Sequence, residues 1–266
     1  MAPLFGGFDS LAGILDIGKT KPPIEQKKAS YKESMTYMKQ FAGKNILLTG
    51  ASGTIGANIA RKLMKADIGQ LVMFVRRDDM MDAKTKMRVQ NSANAHVEEI
   101  DFREPQRIEQ KFTYCMKKHF KGRLDAVILC HGVVTELGVQ NCSVPDYDQL
   151  MLVNVRSNVH LISLAFPFLK QSKSSAITLL TSTSGEHPDP RSTVMSIASA
   201  MQQQLIKCTA LEGAHFGIRV NGVAAGVAYT KARLNKDSFG MNFTKEQNET
   251  FFRLAAQKVP LNKTVA

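Results

Sequence analysis

The stretch that decides the fold reads Ile46-Leu47-Leu48-Thr49-Gly50-Ala51-Ser52-Gly53-Thr54-Ile55-Gly56. Its apolar run predicts a buried strand and its closely spaced glycines predict a tight turn. The apolar spacing that follows, at Ile59, Leu63 and Met64, predicts a helix. A strand, a glycine-rich turn and a helix in this order direct backbone N–H groups and the positive end of a helix dipole at one anion. The stretch therefore predicts a cradle for a pyrophosphate.

From Lys44 onward, apolar runs of strand length alternate with helical stretches. The predicted strands are 46–48, 71–75, 96–100, 126–129, 176–180 and 219–223, and the predicted helices include 54–65, 104–119, 146–168 and 194–214. Strands that are apolar on both faces and alternate with helices predict an α/β fold with a Rossmann-like, doubly wound parallel sheet. In such a sheet the ligand lies at the carboxyl ends of the strands.

The chain divides into two parts by composition. Residues 1–43 are predicted to be an N-terminal extension, and residues 44–266 are predicted to form the Rossmann-fold domain. The extension mixes apolar residues, among them Leu4, Phe5 and Phe8, with acidic residues and several glycines. A short apolar segment on a tether can dock on a partner protein, or it can pack on its own domain.

The chain has 266 residues, a formal net charge of +12 and a pI of about 9.6. This charge implies acidic partners, or a basic compartment such as the mitochondrion, with the cytoplasm as the alternative. Four separated cysteines favour reduced core residues over a disulfide framework, and the scattered histidines predict no metal site. No apolar run predicts a transmembrane span, which leaves peripheral membrane association open.

The chain from about Lys44 to its end resembles the short-chain dehydrogenase/reductase family. Thr49 to Gly56 resembles the family's cofactor turn, with a TGxxGxxG spacing in which Thr54 stands at the position of a middle glycine. The resemblance implies a nicotinamide cofactor. The residues that it implies for cofactor binding are Thr49, Gly50, Ser52, Gly53, Thr54, Ile55, Gly56, Arg76, Arg77, Asp101, Phe102, Gly132, Gly226 and Thr230.

Arg76 and Arg77 follow the second predicted strand, at the position where members that prefer NAD(H) carry an acid. A planar guanidinium suits a 2′-phosphate because it donates charge-assisted, often bidentate hydrogen bonds. The resemblance therefore favours NADP(H) over NAD(H), the alternative being that both arginines are simply solvated on a loop. Asp101 matches the acid that contacts adenine in the family.

The resemblance also implies that the catalytic pair is missing. Asn154 matches the family's asparagine that holds a catalytic water, and Ser182 matches its substrate-orienting serine. The segment 217–226 matches the motif GIRVNxVxPG and fixes the register. Counting back from it places the family's Tyr-x-x-x-Lys on Met195 and Ser199. A thioether cannot act as a general acid, and a serine hydroxyl carries no positive charge.

Other residues could offer a substitute. Tyr114 and Lys118 have the Tyr-x-x-x-Lys spacing, but they lie on the predicted helix before the fourth strand, so we interpret them as a coincidence. Of the family's Asn-Asn-Ala-Gly motif on the fourth strand, only Gly132 is retained. His131 and His187 could reach the mouth of the pocket and supply a proton.

Two hypotheses follow for function. The first is a non-catalytic structural or regulatory subunit of a multi-subunit assembly that still holds NADP(H). The alternative is an NADP(H)-dependent ketone or alcohol oxidoreductase that uses Ser182, with His131 or water as the proton source. The basic and aromatic run 111–123 would suit nucleic acid, but its spacing favours a helix packed on the sheet, so nucleic acid is not an expected partner.

The C-terminal residues 259–266 resemble the segment that leads into the family's last helix and seventh strand. The sheet is therefore expected to lack the family's last strand. An edge strand without that neighbour has unpaired backbone groups. The family's usual oligomer interface is expected to be altered as well.

Overall fold

The structure, a computed structural model, describes residues 38–77, 80–228, 230 and 244–257. Within these residues the strands are β1 (Asn45–Thr49), β2 (Gln70–Val75), β3 (Ala95–Glu99), β4 (Ala126–Leu129), β5 (Ser175–Ser182) and β6 (Ile218–Ala225). They form one sheet in the order β3-β2-β1-β4-β5-β6, and all neighbouring pairs are parallel. This confirms the predicted doubly wound sheet. The expectation for residues 259–266 lies outside the described residues.

The helices of the described residues pack on both faces of this sheet. They are α1 (Thr54–Leu63), α2 (Ala83–Gln90), α3 (Pro105–Lys118), α4 (Val144–Met151), α5 (Ser157–Leu169), α6 (Thr193–Ala214) and α7 (Lys245–Gln257). Helices α2 and α7 were not predicted. The start of α2 carries a recognisable signal, because the side chain of Asp82 accepts a hydrogen bond from the Thr85 N–H at 3.0 Å and caps the helix.

The core has a layer on each face of the sheet because successive residues of a strand point in opposite directions. Leu47 packs in a cluster with Phe112 of α3 and Leu161 of α5. Its neighbour Leu48 packs in a second cluster with Leu63 of α1. Leu47 and Leu48 have no exposed surface, and each such burial stabilises the fold by about 1.5–3 kcal/mol. The two layers cover both faces of the sheet, and the order of the strands decides which strand ends are neighbours at its edge.

Helices α4 and α5 are joined by a π-helical turn, Leu152–Arg156, into one helical run. By length and composition, Val144–Leu169 could cross a membrane. The expectation that no run is long enough was wrong in that respect. The run nevertheless packs as a core helix, with Leu150, Leu161 and Leu169 fully buried. Its apolar character is therefore accounted for by the domain's own core.

The four cysteines lie apart from one another in the fold and differ in exposure. All four cysteines are free, as predicted, but Cys208 is exposed, so the expectation of a core position was wrong for it.

Because every strand is parallel, the loops that follow strands lie at one edge, here called the carboxyl edge. The loops that precede strands lie at the opposite edge, here called the amino edge. The chain changes direction across the sheet between β1 and β4, which opens a crevice at the carboxyl edge.

Candidate cofactor cleft and reaction site

A cleft of about 1850 Å³ opens at the carboxyl edge. It exceeds the roughly 300–1000 Å³ of a pocket for one drug-sized ligand. The residues proposed from the sequence that line it are Gly50, Ser52, Gly53, Thr54, Ile55, Gly56, Arg76, Asp101, Phe102, Gly132, Asn154, Ser182, Met195, Gly226 and Thr230. Thr49, Arg77 and Ser199 are outside this lining. The fold thus brings most of the proposed residues to one place.

The turn after β1 packs so closely on its neighbours that two of its positions require glycine. Gly50 has φ +70°, and a Cβ there would lie 2.6 Å from the carbonyl oxygen of Cys130 on the neighbouring strand end. A Cβ on Gly56 would lie 2.2 Å from the carbonyl oxygen of Gly50, so α1 packs directly on the turn. Gly53 is the N-cap of α1 and gives it no side-chain cap. An uncapped helix start behind a glycine turn fits a pyrophosphate.

Arg76 lines the cleft, whereas Arg77 is exposed and lies outside it. Arg76 Nη2 lies 3.4 Å from the sulfur of Met80. A bidentate hydrogen bond from Arg103 lowers the pKa of Asp101, and the charge of Arg76 adds to that effect. Asp101 is therefore ionised and balanced by two guanidinium groups at this end of the cleft.

Two more basic residues, Arg61 of α1 and Lys84 of α2, line the same end and were not identified from the sequence. Arg61 Nη1 donates to Asp82 Oδ2 at 2.8 Å and to Thr85 Oγ1 at 2.7 Å. Partial burial raises the pKa of Asp82, but the bonds from Thr85 and the charge of Arg61 outweigh it and lower that pKa. The spacing between Arg61 and its partners is over twenty residues, so local patterns could not have found the pair.

His131 links Thr49, the last residue of β1, to Ser157, the first residue of α5. Ser157 Oγ donates to the Val153 carbonyl at 2.7 Å, so its 2.6 Å contact with His131 Nε2 is one that it accepts. A neutral imidazole has one N–H, and therefore His131 Nδ1 accepts from Thr49 Oγ1 at 2.7 Å. Thr49 Oγ1 in turn accepts from the Cys130 N–H at 3.1 Å. Thr49 thus connects the end of β1 to Cys130 and His131, which follow β4, and does not line the cleft.

His131 is unsuited to proton donation. Burial lowers its pKa to about 3, and both ring nitrogens are hydrogen-bonded within the protein. Its ring stacks on Phe102, with 3.9 Å between the ring centroids. The expectation that His131 could serve as a substitute acid was therefore wrong. His187 is exposed and lines the cleft.

Asn154 lies in the π-helical turn with all of its side-chain and carbonyl groups occupied. Its carboxamide accepts from the Val133 N–H at 2.8 Å and donates to the Val133 carbonyl at 2.9 Å. Its backbone carbonyl accepts from the side chains of Gln202 (2.6 Å) and Asn158 (2.7 Å). The second amide hydrogen points to the sulfur of Met195 at 3.5 Å. The carbonyl has two lone pairs and two donors, so no acceptor position is left on it for a water.

Met195 and Ser199 lie one turn apart on α6. Ser199 Oγ donates to the Met195 carbonyl at 2.8 Å, and Ser184 Oγ lies 3.3 Å from Ser199 Oγ. Ser182 Oγ accepts from the Ser184 hydroxyl at 2.9 Å and from the Ser184 N–H at 3.2 Å. Ser199 has no exposed surface. This end of the cleft thus contains a thioether and a chain of neutral hydroxyls.

The pair Tyr114 and Lys118 lies elsewhere. Both residues are on α3 and outside the lining of the cleft, and Lys118 Nζ donates to the Tyr114 hydroxyl. The pair therefore takes no part in the cleft.

A family model of short chain dehydrogenases matches residues 44–239. The chain belongs to the short-chain dehydrogenase/reductase family. A relative of this family in Thermotoga maritima, named an uncharacterized oxidoreductase, is 28% identical over 193 residues, which cover 72% of this chain and 74% of the relative. The 7alpha-hydroxysteroid dehydrogenase of Bacteroides fragilis is 24% identical over 201 residues, covering 74% of this chain and 76% of the relative.

Solved structures agree on the fold. The ligand-free aldohexose dehydrogenase of Thermoplasma acidophilum superimposes with a TM-score of 0.71 at 16% identity, covering 85% of this chain and 83% of that one. Members of the short-chain dehydrogenase/reductase family bind NAD(P) in general, and the glycine turn of this chain fits such a dinucleotide. The prediction that Met195 and Ser199 stand at the positions of the family's tyrosine and lysine stays a prediction.

Proposed function

We propose that the protein holds NADP(H) in the cleft and is a non-catalytic structural or regulatory subunit of a larger assembly. The observation that carries this proposal is the pair Met195 and Ser199, one turn apart on α6, at the positions that the motif of 217–226 predicts for the family's acid–base tyrosine and its lysine. Met195 has no proton to donate to a substrate oxygen, and Ser199 has no positive charge that could lower a neighbouring pKa. The protein would then bind the nucleotide without catalysing proton transfer.

The nucleotide part of the proposal rests on the turn and its basic neighbours. Gly50 and Gly56 let the turn pack closely on the neighbouring strand end and on α1 at the lining of the cleft. Arg76 would pair with a 2′-phosphate, and Asp101 would face the adenosine end. When bound, the nicotinamide supplies or accepts a hydride. A ligand that binds only the folded state also stabilises the fold without any turnover, by about 2.7 kcal/mol at a concentration of 100 Kd.

The proton part rests on the surroundings of Asn154. Its carbonyl already accepts from Gln202 and Asn158, which supports the loss of a water relay at this position. Loss of general acid–base help costs about 100- to 10,000-fold in rate. Hydride transfer would then be far too slow for an efficient enzyme.

The proposed assembly and compartment rest on charge alone. A net charge of +12 favours acidic partners, which a multi-subunit complex in the mitochondrion would provide.

The first experiment releases bound nucleotide from the purified full chain by denaturation and measures it by mass spectrometry. We expect about one NADP(H) per chain and little NAD(H). An empty protein that also fails to bind added NADPH would overturn the cofactor proposal. Absorbance of NADPH with a panel of ketones then measures turnover, which we expect to be at background.

A restoration experiment tests the catalytic part. The double variant Met195→Tyr with Ser199→Lys returns both groups, and we expect a gain of about 100-fold or more in ketone reduction. Met195→Phe with Ser199→Lys is the matched control, because it lacks only the phenol hydroxyl and should stay at background. Efficient turnover by the wild-type protein would contradict the proposal.

The second candidate function is an NADP(H)-dependent oxidoreductase with an atypical site. It is favoured by the names of the relatives, which include a hydroxysteroid dehydrogenase, and by the hydroxyl of Ser182 and the ring of His187 in the lining of the cleft. This function predicts a wild-type rate above background that falls by 10-fold or more in Ser182→Ala and in His187→Ala. Unchanged rates in both variants would exclude it.

A further inference from the structure

The amino edge of the sheet is strongly basic. It consists of the segments that precede the six strands, at 38–44, 64–69, 91–94, 119–125, 170–174 and 215–217. The basic residues of these segments are Lys39, Lys44, Lys65, Lys121, Arg123, Lys170 and Lys173, and their acidic residues are Asp67 and Asp125. All of these basic residues are exposed except Lys44, which is half-buried. Because the strands are parallel, this charge gathers on one end of the molecule.

The negative charge of Asp125 is used within the fold. Its carboxylate accepts from the Asn45 N–H at 2.8 Å and from Ser172 Oγ at 2.7 Å, and it is 5% exposed. Lys44 and Arg123 each lie within 4 Å of it, at 3.7 and 3.4 Å. It therefore offsets part of the charge of these two side chains and leaves the five exposed lysines of the edge with Asp67 as the one further acid of these segments.

In the described loops of the carboxyl edge, acidic residues outnumber basic residues. Its loops carry the acidic residues Asp82, Asp101, Glu104, Glu136, Glu186 and Asp189 against the basic residues Arg76, Arg77, Arg103 and Arg191. The excess of positive charge in the described loops thus lies at the end away from the cleft. A nucleotide in the cleft does not account for it.

Aromatic side chains accompany the lysines of the amino edge. Lys170 Nζ lies 3.7 Å from the ring centroid of Phe216 and 5.2 Å from that of Phe166. Phe216 is 46% exposed, although it directly precedes the glycine that leads into β6. An exposed aromatic ring under a lysine offers both apolar area and charge to a flat partner.

We propose that the amino edge binds the surface of an anionic lipid bilayer. Clustered lysines on one face are attracted to acidic headgroups, each by roughly a 5-fold gain in affinity. Lysine suits this partner because it acts as a flexible point charge, whereas specific phosphate recognition favours the planar arginine fork. Phe216 would enter the headgroup region.

The attachment of residues 1–37 favours a membrane over another polyanion. The chain enters β1 from the amino edge, so these residues join the described structure beside the basic loops. Their sequence contains Leu4, Phe5, Phe8 and Leu11. Stable peripheral binding takes an apolar anchor together with a polybasic patch, and these apolar residues are tethered to the edge of the sheet that carries the patch.

The test is co-sedimentation of the full chain with vesicles. We expect binding to vesicles of 70% phosphatidylcholine and 30% phosphatidylserine in 0.1 M salt, and a loss of at least 10-fold with pure phosphatidylcholine or in 0.5 M salt. Lys121→Glu with Lys170→Glu and Lys173→Glu should weaken binding by roughly 100-fold or more. The matched glutamine substitutions should weaken it less, which keeps the test valid where charge reversal harms folding.

The control reverses three exposed basic residues on other surfaces, by Arg107→Glu, Arg156→Glu and Lys245→Glu. It has the same net charge as the test variant and should keep most of the vesicle affinity. Equal losses in the two variants, or no binding of the wild-type chain in 0.1 M salt, would overturn the proposal. Tighter binding to single-stranded RNA than to the vesicles, lost in the same lysine variant, would assign the edge to nucleic acid and overturn it also.

Discussion

The two halves of the cleft differ in how well they suit the chemistry of the family. The nucleotide half, formed by the turn after β1 and by Arg76 and Asp101, retains a geometry that fits a dinucleotide. The reaction half is formed by Asn154, Ser182 and Met195, and none of these three side chains is ionisable at neutral pH. Under the proposed function, binding a cofactor and using it are separate properties of the two halves.

The difference has a physical origin. The nucleotide half relies on backbone, and a glycine there cannot be replaced without moving the chain that packs against it. The reaction half relies on side chains, two of which, Met195 and Ser199, project from α6. Ser199 donates its hydroxyl to the Met195 carbonyl on the preceding turn, so α6 satisfies this polar group within the helix. The fold therefore does not depend on an ionisable side chain at either position.

The largest expected effect comes from breaking the nucleotide half at Gly56. An alanine in a helix usually stabilises it by up to about 1 kcal/mol relative to glycine. Here the new Cβ would lie 2.2 Å from the Gly50 carbonyl oxygen, so Gly56→Ala must move the turn away from α1. We expect a loss of about 3 kcal/mol in the free energy of unfolding, measured with urea, and at least a 10-fold weaker Kd for NADPH.

The control for this prediction is Gly226→Ala. Gly226 also lines the cleft, but a Cβ there would meet no heavy atom of the described residues within 4 Å. We expect its unfolding free energy to change by less than about 0.5 kcal/mol. Equal stability of the two variants would show that α1 does not pack on the turn as described.

A smaller effect is expected at Arg76, the residue that we propose to favour NADP(H) over NAD(H). Removing a charged hydrogen-bond donor costs about 1.5–3 kcal/mol, so Arg76→Ala should weaken NADPH binding about 10- to 100-fold and leave NADH binding nearly unchanged. The two Kd values are measured by fluorescence titration. Arg77→Ala is the matched control and should alter either Kd by less than about 3-fold, since Arg77 is outside the cleft. Equal losses for both nucleotides in Arg76→Ala would remove the preference for NADP(H).

The sequence predicted the sheet and the turn because both rest on local patterns. The apolar run before Gly50 gives β1, and the positions of the glycines give the turn, with no need for distant residues. It predicted neither the Arg61–Asp82 pair nor the surroundings of Asn154. These depend on partners 21 and 48 residues away, which only the packing of helices brings together.

His131 is the clearest case of what a local pattern misses. A histidine beside a cleft suggests a proton donor, but its ring is buried and bonded to Thr49, 82 residues earlier, and to Ser157, 26 residues later. Burial reverses the interpretation, because a neutral imidazole with both nitrogens bonded serves as a link between the two halves. Under the proposed function, this histidine therefore does not supply an acid to the reaction half.

The smallest expected effect tests this link through pH. His131 has an ordinary pKa of 6.5 and a folded pKa of about 3, so it takes up a proton only when the chain unfolds anywhere between these values. Stability must therefore fall as the pH falls below 6.5, by about 2 kcal/mol at pH 5 from this residue alone.

His131→Asn removes the titrating group while it keeps an amide near Thr49. We expect the variant to be less stable at pH 7, and its deficit to shrink by about 2 kcal/mol between pH 7 and pH 5. Urea unfolding of both proteins across this range measures the deficit. A deficit that stays constant with pH would mean that His131 keeps an ordinary pKa in the folded protein, and proton donation at the boundary of the two halves would then be restored as a role for it.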